Sequence, residues 1–534
     1  MKIIESLGIH SEVYSPIMQD LLQLEASLKP FHCGVLSPSS VYSVVNKRTN
    51  DFSIDKRKVL VDVIRKQYEG ITLPKKVNAN IKKLALSNTA TITTGHQLNV
   101  FSGPLFFWYK ILDVINAVER LQKNDNKHHY VPVFWMASED HDIEEINHFF
   151  LGEQKVYWDS PKGGPVGRLT TANFQRLYDE LLPIWGSSKV GKELLDLFAL
   201  CYLESHNLSD ATRKLVDQLF GKYGLVIVDG DAPELKALFS PILKKELIGQ
   251  ITYNKVLQTN KALEKTIDQF TPQVNPREIN LFYLSKNKRV RIVKTKDGFT
   301  TSDSEHSWEQ DEIIKELDQH PERFSPNALL RPIYQEFILP NLGYVGGGGE
   351  LAYWLQLKTT FQAFDVSYPL LQHRSVLLLM SEKQLKKCTK LGLPLSDLFM
   401  PKASFINKRV RHISDIDIDF SSQLRVLQDQ FENLRFLAEL TDKSFLGAVN
   451  AQEKKQLNGL RALEKRLLKA QRITLQDQII RITDIQNALF PNGKLQERTA
   501  HFSNFLSDRP IATFTRDLKE VLKSCTEGLY IVQH

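Results

Sequence analysis

The feature that most constrains this chain is an apolar run that ends abruptly in charge, "VPVFWMASEDHD" at 131–142. Residues 131–137 are typical of a strand buried on both faces of a sheet. Residues 138–142 then crowd three acids and a histidine into five positions. These charged side chains must contact either solvent or a ligand. We hypothesise that they bind a ligand.

The residues before this run predict the rest of a β-loop-α-β unit. β-branched residues at 91–94 indicate a short strand, 95–103 a loop, and Pro104 the first turn of a helix that reaches about Leu121. This is the opening unit of an α/β fold with a doubly wound parallel sheet. Because ligands bind beyond the carboxyl ends of such strands, the loops at 95–103 and 138–142 are expected at one site.

Length and charge limit the function classes. With 534 residues, the chain is expected to form three or four units of ~150 residues each. The net charge of +7, from 69 basic and 62 acidic residues, gives no argument for nucleic acid as a partner. The N-terminal residues lack the apolar core of a signal peptide, and no apolar stretch approaches the ~18 residues of a membrane span. Four scattered cysteines without a CxxC pair indicate reduced thiols, so a cytoplasmic protein without a membrane partner is expected.

Changes of pattern divide the chain into six predicted parts. These are a first core part at 1–155, a helical insertion at 156–222, a core strand with an insertion and small hairpin at 223–324, a second core part at 325–382, a helical arm at 383–490, and a segment returning to the core at 491–534.

The arm carries apolar residues at helical spacing. The sets are Leu424, Leu427, Phe431 and Leu434, three or four apart, and Leu475, Ile482 and Leu489, seven apart. They predict an antiparallel pair of long helices with a turn near Gly447 and Asn450. A dimerisation arm or lid and a bundle packed on its own chain are equally compatible with this pattern.

Three loops carry the candidate ligand-binding groups. The first is "TTGHQLNVFSGP", where a polar loop enters a helix N-terminus and can hold phosphate or carboxylate on backbone N–H groups. Its candidate residues are Gly95, His96, Gln97, Asn99, Ser102 and Gly103. The alternative is a capped turn with polar filler.

The second loop is "SEDHD". Its acids can receive an ammonium group, share a proton or hold Mg²⁺, and its histidine can act as a general base. We assign substrate binding to Ser138, Glu139 and Asp142, and catalysis to Asp140 and His141. We expect the three acids to repel one another unless a cation is bound. A solvated loop is the alternative, and no dedicated metal site is predicted.

The third loop is "YVGGGGELAYW". Four glycines, Gly346, Gly347, Gly348 and Gly349, let backbone approach a phosphate closely at a strand-to-helix turn. Lys110, Arg331 and Tyr353 are further candidates for substrate binding, and Arg331 offers a forked donor for a carboxylate.

Together, "TTGHQLNVFSGPLFFWYK", "VPVFWMASEDHDIEEIN", "RPIYQEFILPNLGYVGGGGELAYW" and "LFPNGKLQERT" resemble the signature regions of the bacillithiol-biosynthesis cysteine-adding enzymes, the BshC family. The likeness covers essentially the whole chain, in the same order. It implies a Rossmann-like core with connecting-peptide insertions, akin to class I aminoacyl-tRNA synthetases, and an antiparallel coiled coil that forms a homodimer.

The resemblance also implies a reaction, the joining of cysteine to glucosaminyl-malate. Amide formation from a free carboxylate is uphill in water, so we expect ATP, with Mg²⁺ bound to the nucleotide, to activate the carboxyl group. Adenylate and acyl phosphate both stay open, because "FSGP" at 101–104 replaces the HIGH-type motif of the synthetases.

Two other classes of function remain as alternatives. A metal-dependent hydrolase would use the acids and histidines of 139–148 and would be inactivated by chelation. A non-catalytic synthetase-like protein would bind nucleic acid with steep salt dependence.

Overall fold

The computed structural model describes residues 1–9, 12–268, 270–285, 287–441, 443–525 and 528–534. The chain divides into two compact units. Unit 1 comprises Met1–Leu379 and Leu495–His534, and unit 2 comprises Met380–Lys494.

The strands, in chain order, are β1 Lys2–Gly8, β2 Thr89–His96, β3 His129–Met136, β4 His148–Leu151, β5 Gln154–Tyr157, β6 Val226–Asp229, β7 Leu281–Ser285, β8 Lys288–Lys294, β9 Phe299–Thr301, β10 Ser307–Trp308, β11 Phe324–Pro326, β12 Asn341–Gly346, β13 Leu370–His373, β14 Val376–Met380 and β15 Leu529–Gln533.

The α-helices are α1 Pro16–Leu22, α2 Pro38–Asp51, α3 Ile54–Gln67, α4 Lys75–Leu84, α5 Phe106–Asn124, α6 Ile143–Ile146, α7 Phe174–Trp185, α8 Lys189–Phe198, α9 Leu208–Phe220, α10 Pro233–Gly249, α11 Ile251–Thr266, α12 Gln310–Gln319, α13 Arg331–Ile338, α14 Gly348–Trp354, α15 Lys358–Ala363, α16 Glu382–Lys390, α17 Lys402–Ile413, α18 Ser421–Glu439, α19 Lys443–Thr474, α20 Gln476–Leu489 and α21 Ile511–Lys523.

The central sheet of unit 1 is parallel and has the strand order β13-β12-β2-β3-β6. From β2 the chain proceeds to β3 and β6 on one side, and it later adds β12 and β13 on the other. The order therefore reverses between β2 and β12. In parallel sheets, a crevice opens at the carboxyl ends of the two strands that flank such a reversal.

Apolar side chains of β2 and α5 hold this sheet together. Ile92 of β2 and Val114 of α5 belong to one buried cluster, which Val41 of α2 and Val345 of β12 extend. The polar groups inside are also satisfied, since the hydroxyls of Thr91 and Thr93 both donate to the side-chain oxygen of Asn341. The predicted α/β class and the parallel β-loop-α-β unit are confirmed.

Two smaller sheets of unit 1 differ from the expectation. The predicted small hairpin is part of a five-stranded antiparallel sheet of order β10-β9-β8-β7-β11. The run "SVLLLM", expected to continue the core, forms β14 in a separate sheet of order β1-β15-β14. A buried apolar run alone does not show which sheet the strand joins, because the cores of all β-sheets contain the same types of apolar residue.

Unit 2 contains the predicted helical arm, in which α18 and α19 form a hairpin. Phe431 and Ala438 of α18 pack against Val449 of α19, and Leu427 and Leu446 flank them. The turn predicted near Gly447 and Asn450 is wrong, because both residues lie inside α19. Packing of the flanking Leu446 and Val449 outweighs the ~1 kcal/mol helix penalty of the glycine.

Among the described residues, none of the helices is both long enough and apolar enough to cross a bilayer.

Candidate active site

A cleft of about 620 Å³ opens at the carboxyl edge of the central sheet, where the strand order reverses. Its floor comes from the ends of β2, β3 and β12, and its other wall from the loop before β7 and from β7 and β8. Nine of the predicted site residues line it: Gly95, His96, Gln97, Ser138, Glu139, Asp140, His141, Arg331 and Tyr353. The two loops predicted to share a site, 95–103 and 138–142, therefore do meet.

A second cleft of similar volume lies beside β6, and most of its charged side chains are paired with one another. Lys66 pairs with Glu234, Arg168 with Asp231, and Arg213 with Asp210. Such internal pairing leaves little charge for a ligand. The first cleft differs in this respect and is the better candidate.

Asp140 is an ionised carboxylate in the first cleft. Gln97 Nε2 donates to Oδ2 and the backbone N–H of His141 donates to Oδ1, each at 2.8 Å. Burial alone would raise the pKa of Asp140, but the hydrogen bonds from His141 and Gln97 hold that pKa well below its usual range. A carboxylate whose pKa is this low is a weak base, and it stays charged to accept hydrogen bonds from an ammonium group.

His141 is held by an arginine from the antiparallel sheet. Arg289 Nη1 lies 2.9 Å from His141 Nδ1. A guanidinium only donates, so Nδ1 accepts and the neutral imidazole carries its proton on Nε2. The side chain is 49% exposed, which leaves Nε2 free to meet a ligand.

Glu139 is paired with a lysine of α10. Its Oε1 lies 2.7 Å from Lys236 Nζ, and the same ammonium lies 2.8 Å from Asp231 Oδ1. Burial raises the pKa of Glu139, although Lys236 opposes that shift. The repulsion expected among the three acids is relieved, because Glu139 has its own counter-ion and Asp142 is exposed.

Lys110 and Glu350 connect the two strands that flank the reversal. Lys110 Nζ donates to the carbonyl of Gly95 at the end of β2 and lies 2.7 Å from Glu350 Oε1 in α14. Tyr344 of β12 donates its hydroxyl to Glu350 Oε2 at 2.9 Å. Lys110 thus lies behind the cleft wall as part of its framework.

Arg331 forms no direct ion pair with a carboxylate among the described residues. Its Nη1 donates to Gln335 Oε1 at 3.1 Å and its Nη2 to the hydroxyl of Tyr353 at 3.2 Å, and both acceptors are neutral. Burial acts against this charge, but Tyr353, Tyr344 and the carboxylate of Glu350 outweigh it and raise the pKa of Arg331 above its usual value. The guanidinium therefore stays charged and suits an anionic ligand group.

His96 contributes a neutral imidazole to the cleft. Burial, assisted by the charge of Lys110, lowers the pKa of His96 to about 4. Its Nδ1 lies 2.8 Å from the carbonyl oxygen of Gln97, so in the neutral form Nδ1 donates and Nε2 can accept.

The other residues predicted from the first loop make contacts within the protein and do not line the cleft. Ser102 Oγ accepts from the indole of Trp108 at 3.0 Å, and Asn99 Nδ2 donates to the carbonyl of Glu145. Gly103 has φ +60°, and a Cβ there would lie 2.6 Å from that of Asn99. The backbone conformation and the close contact require glycine at position 103, so its presence is explained without phosphate binding.

The glycine run lies beside the cleft, where the loop residue Gln273 meets it. Gly346 is tightly enclosed, since a Cβ there would lie 2.9 Å from the Tyr344 ring. At Gly347 and Gly349 a Cβ would find its nearest neighbours at 3.5 and 4.0 Å, with no positive φ. Packing of the protein thus explains Gly346 but not Gly347 or Gly349.

Sequence reasoning missed the arginines of the insertion. Arg277, Arg289 and Arg291 line the cleft although they are distant in sequence from its floor. The charged pattern of "KNKRVR" at 286–291 was the available signal. It could not reveal that β8 folds over the carboxyl edge of another sheet.

The acids and histidines of 139–148 do not assemble into a metal centre. In the part of the chain that the structure describes, no group of three or more His, Cys, Asp and Glu residues is placed to hold a metal ion. This arrangement does not favour the metal-dependent hydrolase.

Fold and site together define a Rossmann-like α/β protein with a charged cleft, the candidate ligand site, at the switch point of its sheet. Two family models match the chain: "Bacillithiol biosynthesis BshC, N-terminal Rossmann-like domain" over residues 3–375, and "Bacillithiol biosynthesis BshC, C-terminal coiled-coil domain" over residues 377–533. The chain belongs to the bacillithiol biosynthesis BshC family, as the sequence resemblance predicts.

Curated relatives agree over nearly the full length. A protein of Flavobacterium johnsoniae is 45% identical over 93% of this chain and 94% of its own, and one of Cytophaga hutchinsonii is 35% identical over 98% and 97%. Each is named "Putative cysteine ligase BshC". A solved structure titled as an arginyl-tRNA synthetase of Campylobacter jejuni covers 89% of this chain and 99% of its own at 9% identity, but its TM-score of 0.24 carries no structural argument.

Proposed function

We propose that this protein is a cysteine ligase, which joins the carboxyl group of cysteine to the amine of glucosaminyl-malate with ATP as the activating co-substrate. The observation that carries the proposal is that one cleft holds both an ionised carboxylate, Asp140, and a guanidinium, Arg331, that has no direct ion pair among the described residues. The carboxylate of one substrate and the ammonium group of the other carry the complementary charges. The curated names of the relatives supply the same reaction class.

Arg331 is the proposed anchor of the carboxyl group that reacts. Its two η nitrogens point to neutral acceptors, so a carboxylate gains a charge-assisted bond without displacing an existing ion pair. Tyr353 and Gln335 fix the fork, which lowers the entropy lost on binding.

Asp140 is the proposed acceptor for a substrate ammonium, together with Ser138 at the end of β3. The carboxylate stays ionised across the physiological range because its pKa is depressed. Gln97 and the His141 N–H hold it in place, so its position is set before the substrate binds.

His141 is the proposed group that takes the proton from the attacking amine. It can do so at Nδ1 only when Arg289 releases that nitrogen, since the other ring nitrogen already carries a proton. An anionic substrate group that binds Arg289 would thus free Nδ1 of His141. Substrate binding would in this way make His141 available as a base. Neutral His96, across the cleft, can accept a hydrogen bond from the same substrate.

The nucleotide supplies the energy that makes the carboxyl group reactive. The residues present fit its phosphates, since Gly347 and Gly349 leave space that the packing of the protein does not use and the cleft is rich in arginine. Gly95 lines the cleft, whereas Gly346 and Gly348 belong to the adjoining glycine run, which does not line it. Mg²⁺ is proposed to accompany the nucleotide.

We place the reaction in the cytoplasm and assign the arm a homodimer contact. Phe436 and Leu440 of the arm are 66% and 72% exposed, which is unusual for large apolar side chains on one helical turn. A second copy of the arm would cover them.

Mass spectrometry tests the proposed function. The purified protein is incubated with isotopically labelled cysteine, glucosaminyl-malate and ATP, and with each of the three omitted in turn. The complete mixture is expected to yield the labelled amide, and each omission to abolish it. A labelled amide formed without ATP, or none in the complete mixture, would refute the proposal.

A further inference from the structure

We propose that Arg277 and Arg291 form a second anion-binding pair at the mouth of the cleft, which recognises the carboxylates of the dicarboxylate part of the amine substrate. The inference rests on the proposed function and deepens it. It assigns the selectivity for an anionic amine substrate to the antiparallel insertion rather than to the central sheet.

The charge balance of the cleft is the first support. Its acids are Glu139, Asp140 and Glu350, and Lys236 and Lys110 neutralise the first and the last from behind the wall. Four arginines line the same cleft among the described residues: Arg277, Arg289, Arg291 and Arg331. An excess of positive charge therefore remains, and a concave surface concentrates its field on an entering anion.

Arg277 is placed by its backbone. Its N–H donates to Asn280 Oδ1 at 3.1 Å, and its carbonyl accepts from Asn280 Nδ2 at 2.7 Å. The same Nδ2 donates to Glu246 Oε1 at 3.1 Å, so a buried network fixes the loop. The Arg277 side chain is exposed and has no ion pair or hydrogen bond to the described part of the chain.

Arg291 is placed by the sheet. It lies opposite Phe282 in the β7–β8 ladder and two residues beyond Arg289, so both arginines project from the same face of β8. Arg289 spans that face, donating to Ser325 Oγ at 3.1 Å and to the Pro326 carbonyl at 2.9 Å. Arg291 makes no such side-chain contact with a described residue, which leaves its five donors available.

The two arginines thus differ from those of the second cleft, which are paired with acids. A ligand with two carboxylates can engage both guanidiniums in bidentate fashion. The amine of such a ligand would lie deeper, near Asp140 and His141. This arrangement, with the carboxylates at the mouth and the amine deeper in the cleft, suits a substrate that reacts through its amine and not through its anionic part.

Steady-state kinetics of Arg277→Gln/Arg291→Gln test the inference. The acceptors compared are glucosaminyl-malate and methyl glucosaminide, which keeps the amine but lacks both carboxylates. Arg65→Gln/Arg176→Gln is the matched control, because it removes two exposed arginines of unit 1 that do not line the cleft.

We expect the KM for glucosaminyl-malate to rise roughly 10-fold or more in the cleft variant, since each charge-assisted contact contributes to binding. The KM values for cysteine, ATP and methyl glucosaminide, and kcat, are expected to stay near those of the wild type and the control. An unchanged KM for glucosaminyl-malate would overturn the inference. So would a rise in the KM for ATP, which would assign the arginines to phosphate, or an equal rise for methyl glucosaminide.

Calorimetric titration with glucosaminyl-malate separates this inference from the proposed function. If the wild-type protein forms no product with any acceptor, the proposed function fails, yet the arginine pair still predicts weaker binding to the cleft variant than to the control. Equal binding by both variants would refute the pair by itself.

Discussion

Lys110 Nζ lies 2.7 Å from Glu350 Oε1, with the lysine side chain only 1% exposed. The contact joins α5 to α14 across the point where the strand order reverses, and Lys110 also donates to the end of β2. Burial lowers the pKa of Lys110, while this lysine lowers the pKa of Glu350. The pair therefore fixes the geometry of the crevice. Burying each charge costs free energy, and the opposite charge of the partner offsets part of that cost.

Glu350→Gln is expected to lower the free energy of unfolding by about 3 kcal/mol, because it leaves a buried ammonium without a counter-ion. The depressed pKa of Glu350 means that this stabilisation is complete above its usual value of 4.5 and is lost as the pH falls through the folded-state pKa. Chemical denaturation at pH 7 and below pH 4 measures the difference. The double variant Lys110→Met/Glu350→Gln should recover part of the loss, and a penalty that is equal at both pH values would contradict the account.

Asp140→Asn is expected to reduce turnover roughly 100-fold, the scale of removing a group that acts on a transferring proton or holds the reacting amine. Stability should fall by about 1 kcal/mol, since the hydrogen bonds from Gln97 and the His141 N–H lose a charged acceptor. Glu144→Gln is the control, an exposed acid of the same segment that does not line the cleft. Normal turnover in Asp140→Asn would remove this residue from the mechanism.

Gly347→Ala and Gly103→Ala are expected to behave in opposite ways. The Cβ at Gly347 meets no atom closer than 3.5 Å, so the variant should melt near the wild-type temperature but lose activity if phosphate approaches there. Gly103→Ala combines φ +60° with a 2.6 Å contact and should cost about 2 kcal/mol. Calorimetry and turnover distinguish them, and a fully active Gly347→Ala would end the assignment of phosphate to this turn.

Phe436→Glu/Leu440→Glu is expected to convert a dimer into a folded monomer, because both side chains are exposed and charge there blocks an apolar contact between copies. Leu427→Glu should instead unfold the arm, since Leu427 packs with Phe431 within one chain. Sedimentation velocity reports the mass and circular dichroism the helix content. An unchanged mass with the helices intact would show that these residues do not form the contact.

The parallel core could be predicted from sequence because its signals are local. The apolar run 131–137 and the β-branched residues at 91–94 each specify a strand, and the amphipathic segment between them specifies α5. The carboxyl-edge rule then brings Gly95 and Asp140 to one cleft without knowledge of any side-chain contact.

The partners of the charged groups could not be predicted in this way. Glu139 meets Lys236, and His141 meets Arg289, through contacts about a hundred residues or more apart in sequence. Long-range pairs depend on how the insertion folds over the core, and a single sequence carries no signal for that. The turn of the arm was misplaced for a related reason, since the packing of the neighbouring Leu446 and Val449 overrides the local preference of Gly447.

The central claim is that the cleft beside Arg331 joins a carboxylate to an amine, and one measurement tests it most directly. Formation of the labelled amide from cysteine, glucosaminyl-malate and ATP is quantified by mass spectrometry for the wild type, for Arg331→Gln and for Arg176→Gln. We predict equal rates for the wild type and Arg176→Gln, and a loss of roughly 100-fold or more for a folded Arg331→Gln, since its charge-assisted fork is removed. A folded Arg331→Gln that forms the amide at the wild-type rate would contradict the account, because the reaction would then take place without the cleft cation that is proposed to hold the carboxyl group.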